Sequence, residues 1–285
     1  MDVWSKQGAA RALAERIRTC DGHRWTVVAV LLVLVAFSGC QMPCPDRQDM
    51  EWSNCCIVLR NAVCRSVADP YVYVPAIAAG ACALGNVDDG VSDWASRSNP
   101  VFGSRDNADD WTDGLRWALR GGGAVSSLGF PSEPEHRWCP TDKCERCWRF
   151  TAQAAGWGAT LGLTEVLKTS VGRERPNGED DKSFPSGHTS ESVALANIWG
   201  QNVEATNWSK GRKRLLQGIG IGMAAGVGWG RIEAQKHYPS DVFAGAAIGC
   251  FLTNFANDIR LAGNHAFVQV QTSRESAMIS LAVPF

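Results

Sequence analysis

Apolar positions along the chain gather into four runs rich in Ala and Gly: Tyr71 to Leu84, Thr151 to Lys168, Gln217 to Trp229 and Val242 to Phe255. Each is shorter than a typical membrane span, and the four predict buried helices packed closely together. Between them the pattern is amphipathic. Asp109 and Asp110 can start a helix in which Trp111, Leu115, Ala118 and Leu119 recur at i, i+4, i+7 and i+8, with Gly121 to Gly123 ending it. Pro185 opens a further helix to about Gly200, because the N–H that proline lacks would be unpaired in a first turn. In the tail the period changes. Ala266 to Gln271 and Ala277 to Val283 alternate around the polar stretch Thr272 to Ser276, which predicts a hairpin packed on the edge of the helices. The predicted class is all-α: a helical bundle over 71–262 with a C-terminal β-hairpin over 263–285.

The N-terminus carries a different signal. Lys6, Arg11, Arg16, Arg18 and Arg24 precede an uncharged apolar run from Trp25 to Phe37, which ends in Phe37-Ser38-Gly39-Cys40. A basic stretch followed by a short apolar one is the pattern of an export signal. The junction resembles a bacterial lipobox, so 1–39 is expected to be a lipoprotein-type signal peptide and Cys40 the lipid attachment site. Gln41 after the cysteine resembles the outer-membrane sorting pattern of bacteria with two membranes. The expected location is the periplasmic side of the cell envelope, with 40–70 as a cysteine-rich tether.

Composition narrows the choice further. The chain has 285 residues, 45% hydrophobic and 20% charged, which indicates neither disorder nor a polytopic membrane protein. Without 1–39 there remain 23 basic and 26 acidic residues, a net charge of −3, whereas a nucleic-acid binder is usually basic. The 11 cysteines suit an oxidising compartment. Cys44, Cys55, Cys56 and Cys64 form one cluster and Cys139, Cys144 and Cys147 another, for which structural disulfides are favoured over a metal site. Cys82 and Cys250 lie in apolar helical runs and are expected as buried thiols.

Three blocks carry the chemistry. In Lys168 to Pro176, KTSVGRERP, Lys168 and Arg175 are seven positions apart, within about 20° on one helical face, so both cations can reach one site. In Ser183 to Ser190, SFPSGHTS, a helix start places amides near Ser186 and Gly187 for an anion, with His188 beside it to donate a proton. In Gly230 to Asp241, GRIEAQKHYPSD, Asp241 follows His237 by four residues. There it can accept a proton from one ring nitrogen and leave the other free to attack.

Together the blocks resemble the type 2 phosphatidic acid phosphatase superfamily, whose pattern is K-x6-R-P, then P-S-G-H, then S-R-x5-H-x3-D. Lys168, Arg175, Pro176, Pro185, Ser186, Gly187, His188, Arg231, His237 and Asp241 match it, and Gly230 stands where Ser is usual. The resemblance implies a metal-independent phosphatase acting on phosphate monoesters or diphosphates, and the anchor points to lipid phosphates. Lys168, Arg175, Ser186, Gly187 and Arg231 would bind the phosphoryl group. His237 would attack phosphorus to give a phosphohistidine, Asp241 would orient it, and His188 would protonate the leaving oxygen. It implies no cofactor. Two alternatives stay open: a haloperoxidase that holds vanadate in the same pocket, and a noncatalytic envelope lipoprotein.

Overall fold

The computed structural model describes residues 50–130, 142–262, 267–272 and 277–282. The lipobox, Cys40 and residues 40–49 of the proposed tether lie outside the described residues. Eight helices are described: α1 (Met50–Ala68), α2 (Pro70–Leu84), α3 (Val87–Ser98), α4 (Arg105–Gly129), α5 (Asp142–Val171), α6 (Gly187–Glu204), α7 (Lys210–Glu233) and α8 (Pro239–Ala262). Residues 50–68, read from sequence as part of a tether, are therefore a helix, and it packs on α8. After α8, β1 (Phe267–Thr272) and β2 (Ala277–Ala282) pair antiparallel, Phe267 opposite Ala282 and Thr272 opposite Ala277. The fold rests on the helices: an all-α bundle in which α6 is packed by α4, α5, α7 and α8.

Local chemistry explains the helix ends. Asp69 caps α2 by accepting from the Tyr71 amide at 2.8 Å, with Pro70 in the first turn, and Ser104 caps α4 through the Asn107 amide. Two boundaries differ from the sequence expectation. Gly121 to Gly123 do not end α4, which continues to Gly129. Gly122 and Gly123 instead meet Trp199 and Leu195 of α6, so the absent side chains serve helix packing, and tertiary contact outweighs the helix-breaking tendency of glycine. Pro185 lies just outside α6 rather than inside it, and Ser186 is the cap.

The decisive crossing is between α6 and α8. A β-carbon at Gly245 would lie 2.6 Å from the Ser186 carbonyl oxygen, and one at Gly249 would lie 2.4 Å from that of Ser190. Glycines four apart on α8 thus bring its backbone against the first two turns of α6. The same contact delivers a main-chain hydrogen bond from the Ser186 amide to the Asp241 carbonyl, 3.0 Å. The PSGH turn and the start of α8 are consequently one rigid unit.

The interior is unusually polar for its location mid-bundle. Gln153 donates to Asn202 at 2.7 Å, Asn202 donates to Ser126 at 3.0 Å, and Ser127 joins Gln153 at 2.7 Å, all buried. Small apolar clusters sit around this, such as Leu119, Leu195, Ala196 and Ala224. Cys56, Cys64 and Cys147 are free thiols, which at Cys147 departs from the disulfide expectation; Cys250 is a buried thiol as expected, and Cys82 is free but only half-buried. The remaining cluster cysteines lie outside the residues whose side chains are described.

Gly249→Ala is expected to destabilise the protein by about 1–3 kcal/mol through overpacking. Gly158→Ala, on an exposed stretch of α5 with no neighbour near, should be neutral or stabilising by up to ~1 kcal/mol. Thermal unfolding of both variants beside the wild type checks the contrast.

Candidate active site

The site lies where the ends of α5 and α7 meet the starts of α4, α6 and α8. Gly172, at φ +58°, stops α5 three residues before Arg175, so Lys168 and Arg175 do not share one continuous helical face as the spacing suggested. The chain turns and brings Arg175 back, its guanidinium 3.4 Å from the Lys236 carbonyl beside His237. Lys168, Arg175 and Arg231 nevertheless converge: all three act electrostatically on His188. Lys168 reaches in over Gly187, where a β-carbon would meet its ammonium at 2.8 Å. That is a concrete reason for glycine at this position.

His237 is fully buried, and its Nδ1 lies 2.6 Å from the Ser183 carbonyl. A carbonyl can only accept, so Nδ1 carries the hydrogen and, in the neutral ring, Nε2 carries the lone pair. Burial, then Arg231 and Arg175, push the His237 pKa well below its ordinary value, so the ring is neutral. Because the unfolded ring titrates near 6.5, this neutrality supports the fold above that pH and the support declines as pH falls below it.

The carbonyl replaces the partner expected from sequence. Asp241 is not the group bonded to the His237 ring. Its carboxylate accepts instead from Arg173 at 2.6 Å, from the Tyr238 amide at 2.9 Å and from the Ser183 hydroxyl. Asp241 thus reaches His237 through Ser183, whose hydroxyl it holds while the main chain of the same residue holds the imidazole. Burial raises the Asp241 pKa, and Arg173 opposes this.

Arg173 was not singled out from sequence. It bridges Asp241 and Asp88, the latter at 2.8 Å, donates to Ser240 at 2.7 Å and stacks on the Tyr238 ring at 4.1 Å. Burial works against its charge, but Asp241 and Asp88 outweigh burial and raise its pKa. Asp88 also accepts from the Ser240 amide at 2.9 Å, which ties α3 to the start of α8.

His188 sits in the first turn of α6, with Nε2 3.2 Å from Asp113. Burial, followed by Arg231, Arg116, Lys168 and Arg175, pushes its pKa down to about 2. The ring is therefore neutral. Ser186 is completely buried and its hydroxyl already caps α6 through the Thr189 amide and pairs with the Thr189 hydroxyl at 2.9 Å. Asp109, Asp113 and Arg116, spaced along one face of α4, were also missed. Asp109 pairs with Arg231, while Arg116 pairs with Asp113 at 3.2 Å. Their spacing of four and three was the available signal.

Each of the three cationic phosphate-binding candidates has a carboxylate partner: Glu165 for Lys168 at 2.7 Å, Asp180 for Arg175 at 2.6 Å and Asp109 for Arg231. No group of three metal-ligating side chains occurs among the described residues.

Residues 150–262 match the family model of the PAP2 superfamily, and these residues hold every motif position. That stretch, 113 of the 285 residues, is similar to the PAP2 superfamily. Over 98 residues it is 34% identical to a lipid A 1-phosphatase of Porphyromonas gingivalis, a match covering 34% of this chain and 21% of that protein. The matched stretch is thus about a fifth of that relative's length. The crystal structure of a transmembrane PAP2-type phosphatidylglycerolphosphate phosphatase from Bacillus subtilis aligns with a TM-score of 0.48 and 20% identity, covering 66% of this chain and 92% of that one.

The PAP2 motif departure at Gly230 has a structural reason. A β-carbon there would lie 2.4 Å from the Thr112 methyl and 3.1 Å from both the Ala108 carbonyl and the Phe102 ring. α4 crosses α7 too closely for the usual serine. Gly230→Ser is expected to lower the unfolding temperature, and adding Thr112→Ser, which removes the clashing methyl but keeps the hydroxyl bonded to the Asp109 carbonyl, should recover part of the loss.

Proposed function

We propose that this protein is a metal-independent phosphoric ester hydrolase acting on lipid phosphates through a phosphohistidine on His237. The observation that carries the reading is the His237 ring: neutral, its Nδ1–H donated to a carbonyl, its Nε2 lone pair left for attack, and Arg231 and Arg175 its charged neighbours. The identity shared with a lipid A 1-phosphatase supports a lipid-linked phosphate as substrate. Cys40 as a lipid attachment site rests on the lipobox-like sequence.

In the first step Nε2 attacks phosphorus, the bond from phosphorus to the leaving oxygen breaks, and His188 gives that oxygen its proton. In the second, water attacks phosphorus, the N–P bond breaks, and His188 takes a proton from the water, which regenerates both histidines. Lys168, Arg175 and Arg231 surround the spreading charge and supply the electrostatic stabilisation that a divalent ion gives elsewhere. A phosphoryl dianion must displace Glu165, Asp180 and Asp109 from these cations. The same dianion opposes the charges that hold His188 neutral, so substrate binding itself raises the His188 pKa and loads the acid. Asp241 is a positioning residue here, acting through Ser183.

His237→Ala should abolish hydrolysis of all esters. His188→Ala should lose roughly 10²- to 10⁴-fold on a lipid ester, the usual worth of general acid catalysis, and far less on p-nitrophenyl phosphate, whose leaving group needs little protonation. Phosphate release from both substrates by metal-free enzyme reads this out. Equal losses on both would remove the acid role, and activity restored only by Mg²⁺ or Zn²⁺ would contradict the metal-independent reading.

A further inference from the structure

Asp113, Arg116 and Arg120 stand at i, i+3 and i+7 on one face of α4, and His188 and Glu191 stand at i and i+3 on α6, which packs against it. Their charges alternate along one row. Arg120 holds both oxygens of Glu191, at 2.7 and 2.9 Å. Arg116 lies between the two carboxylates, its Nε 3.8 Å from Glu191 and its Nη2 3.2 Å from Oδ1 of Asp113. The same Oδ1 lies 3.2 Å from Nε2 of His188.

The row begins in the interior and ends at the pocket. Only 4% of the Glu191 side chain is exposed, against 54% for Asp113 and 26% for His188. A carboxylate buried in this way is costly unless paired, and a two-pronged guanidinium contact is a strong pairing for it. Glu191 thereby fixes Arg120 and Arg116, and Arg116 in turn fixes the oxygen that meets the histidine. Asp113, Arg116, Arg120 and Glu191 all lie outside the motif blocks, and none is a phosphate-binding candidate.

A carboxylate can only accept, so the neutral His188 ring donates Nε2–H to Asp113 and carries its lone pair on Nδ1. This is the reverse of His237. A second proton on His188 must enter at Nδ1, and Nδ1–H is then the bond that can be given to a leaving oxygen. Facing the ring are Asp113 and Arg116 of α4, Lys168 of α5, Arg175 of the loop after it, Arg231 of α7 and His237 ahead of α8; the four cations disfavour a charge there. Asp113 opposes them. With His188 neutral the charges of the row sum to zero, and with His188 protonated each carboxylate of the row lies between two cations.

We propose that Asp113 is the positioning residue of the general acid: it holds His188 at Nε2, directs the transferable proton to Nδ1 and stabilises the charged ring, while Arg116, tethered by Glu191, holds Asp113 in place. The proposal rests on the phosphohistidine reading above, in which His188 protonates the leaving oxygen. The bond at Nε2 is kept throughout. In the first step the Nδ1 proton passes to the leaving oxygen as its bond to phosphorus breaks, and in the second a proton from the attacking water returns to Nδ1. A set of ion pairs serving only to join α4 to α6 would be complete with Arg116, Arg120 and Glu191. The half-exposed Asp113 adds little to such a joint, since exposed ion pairs contribute little to stability.

Asp113→Asn and Arg116→Gln in the full chain test this, with kcat/KM of the metal-free enzyme followed against pH on dodecyl phosphate and on p-nitrophenyl phosphate. On the alkyl ester the alkaline limb reports the protonated acid. Asp113→Asn removes a negative charge beside the ring and should move that limb down by about 1 pH unit, a roughly tenfold loss above it. Arg116→Gln removes a positive charge and should move the limb up. Neither shift should appear on p-nitrophenyl phosphate, and Asp113→Asn should unfold close to the wild-type temperature. Spectra of ¹⁵N-histidine-labelled protein, with His188 assigned by its loss in His188→Ala, should show the neutral ring protonated at Nε2. Equal losses on both esters at every pH, limbs that do not move in opposite directions, or a neutral ring protonated at Nδ1 would overturn the proposal. Failure of the underlying catalytic reading is seen separately, as a His188→Ala variant that loses both substrates alike.

Discussion

The structure depends most on the buried pairing of Arg173 with Asp241 and Asp88. One guanidinium gathers three separate pieces of chain: the loop after α5, the start of α3 and the start of α8. The bundle interior is costly for each of these charges alone, and removing one partner of such a group typically costs about 3–5 kcal/mol. With Arg173 in place, Asp241 can hold the Ser183 hydroxyl, and Ser183 can present its carbonyl to His237. The tautomer of the proposed nucleophile is thereby set by a chain of contacts that begins one layer away from it.

The second governing feature is charge balance in the pocket. Lys168, Arg175 and Arg231 each hold a carboxylate, and all three partners, Glu165, Asp180 and Asp109, lie outside the motif blocks. Cations kept this way are positioned without an unpaired charge in a half-buried site. The proposed chemistry then becomes an exchange of anions, in which the incoming dianion replaces exposed carboxylates and simultaneously permits His188 to carry a proton.

Much of this was legible in the sequence. The apolar runs located α2, α5, α7 and α8, and the motif spacing selected His188, His237 and the three cations that converge in space. What escaped had no local period. Arg173 sits two residues from Arg175, yet its partners lie 85 and 68 positions away. Asp241 was assigned directly to the His237 ring because sequence spacing cannot distinguish a side-chain acceptor from a main-chain carbonyl that folds into the same place. Gly121 to Gly123 were misread for a related reason: glycine marks a helix end in isolation but a close helix contact in a bundle.

The account turns on Nε2 of His237 as the atom that bonds to phosphorus. Enzyme mixed with a ³²P-labelled lipid phosphate, quenched within milliseconds in alkali to preserve an N–P bond, and digested for peptide mapping tests this directly. The account expects acid-labile label on the peptide containing His237 in the wild-type enzyme and none in His237→Ala. Label on His188, or turnover of the same substrate with no protein-bound phosphate at any quench time, would contradict it.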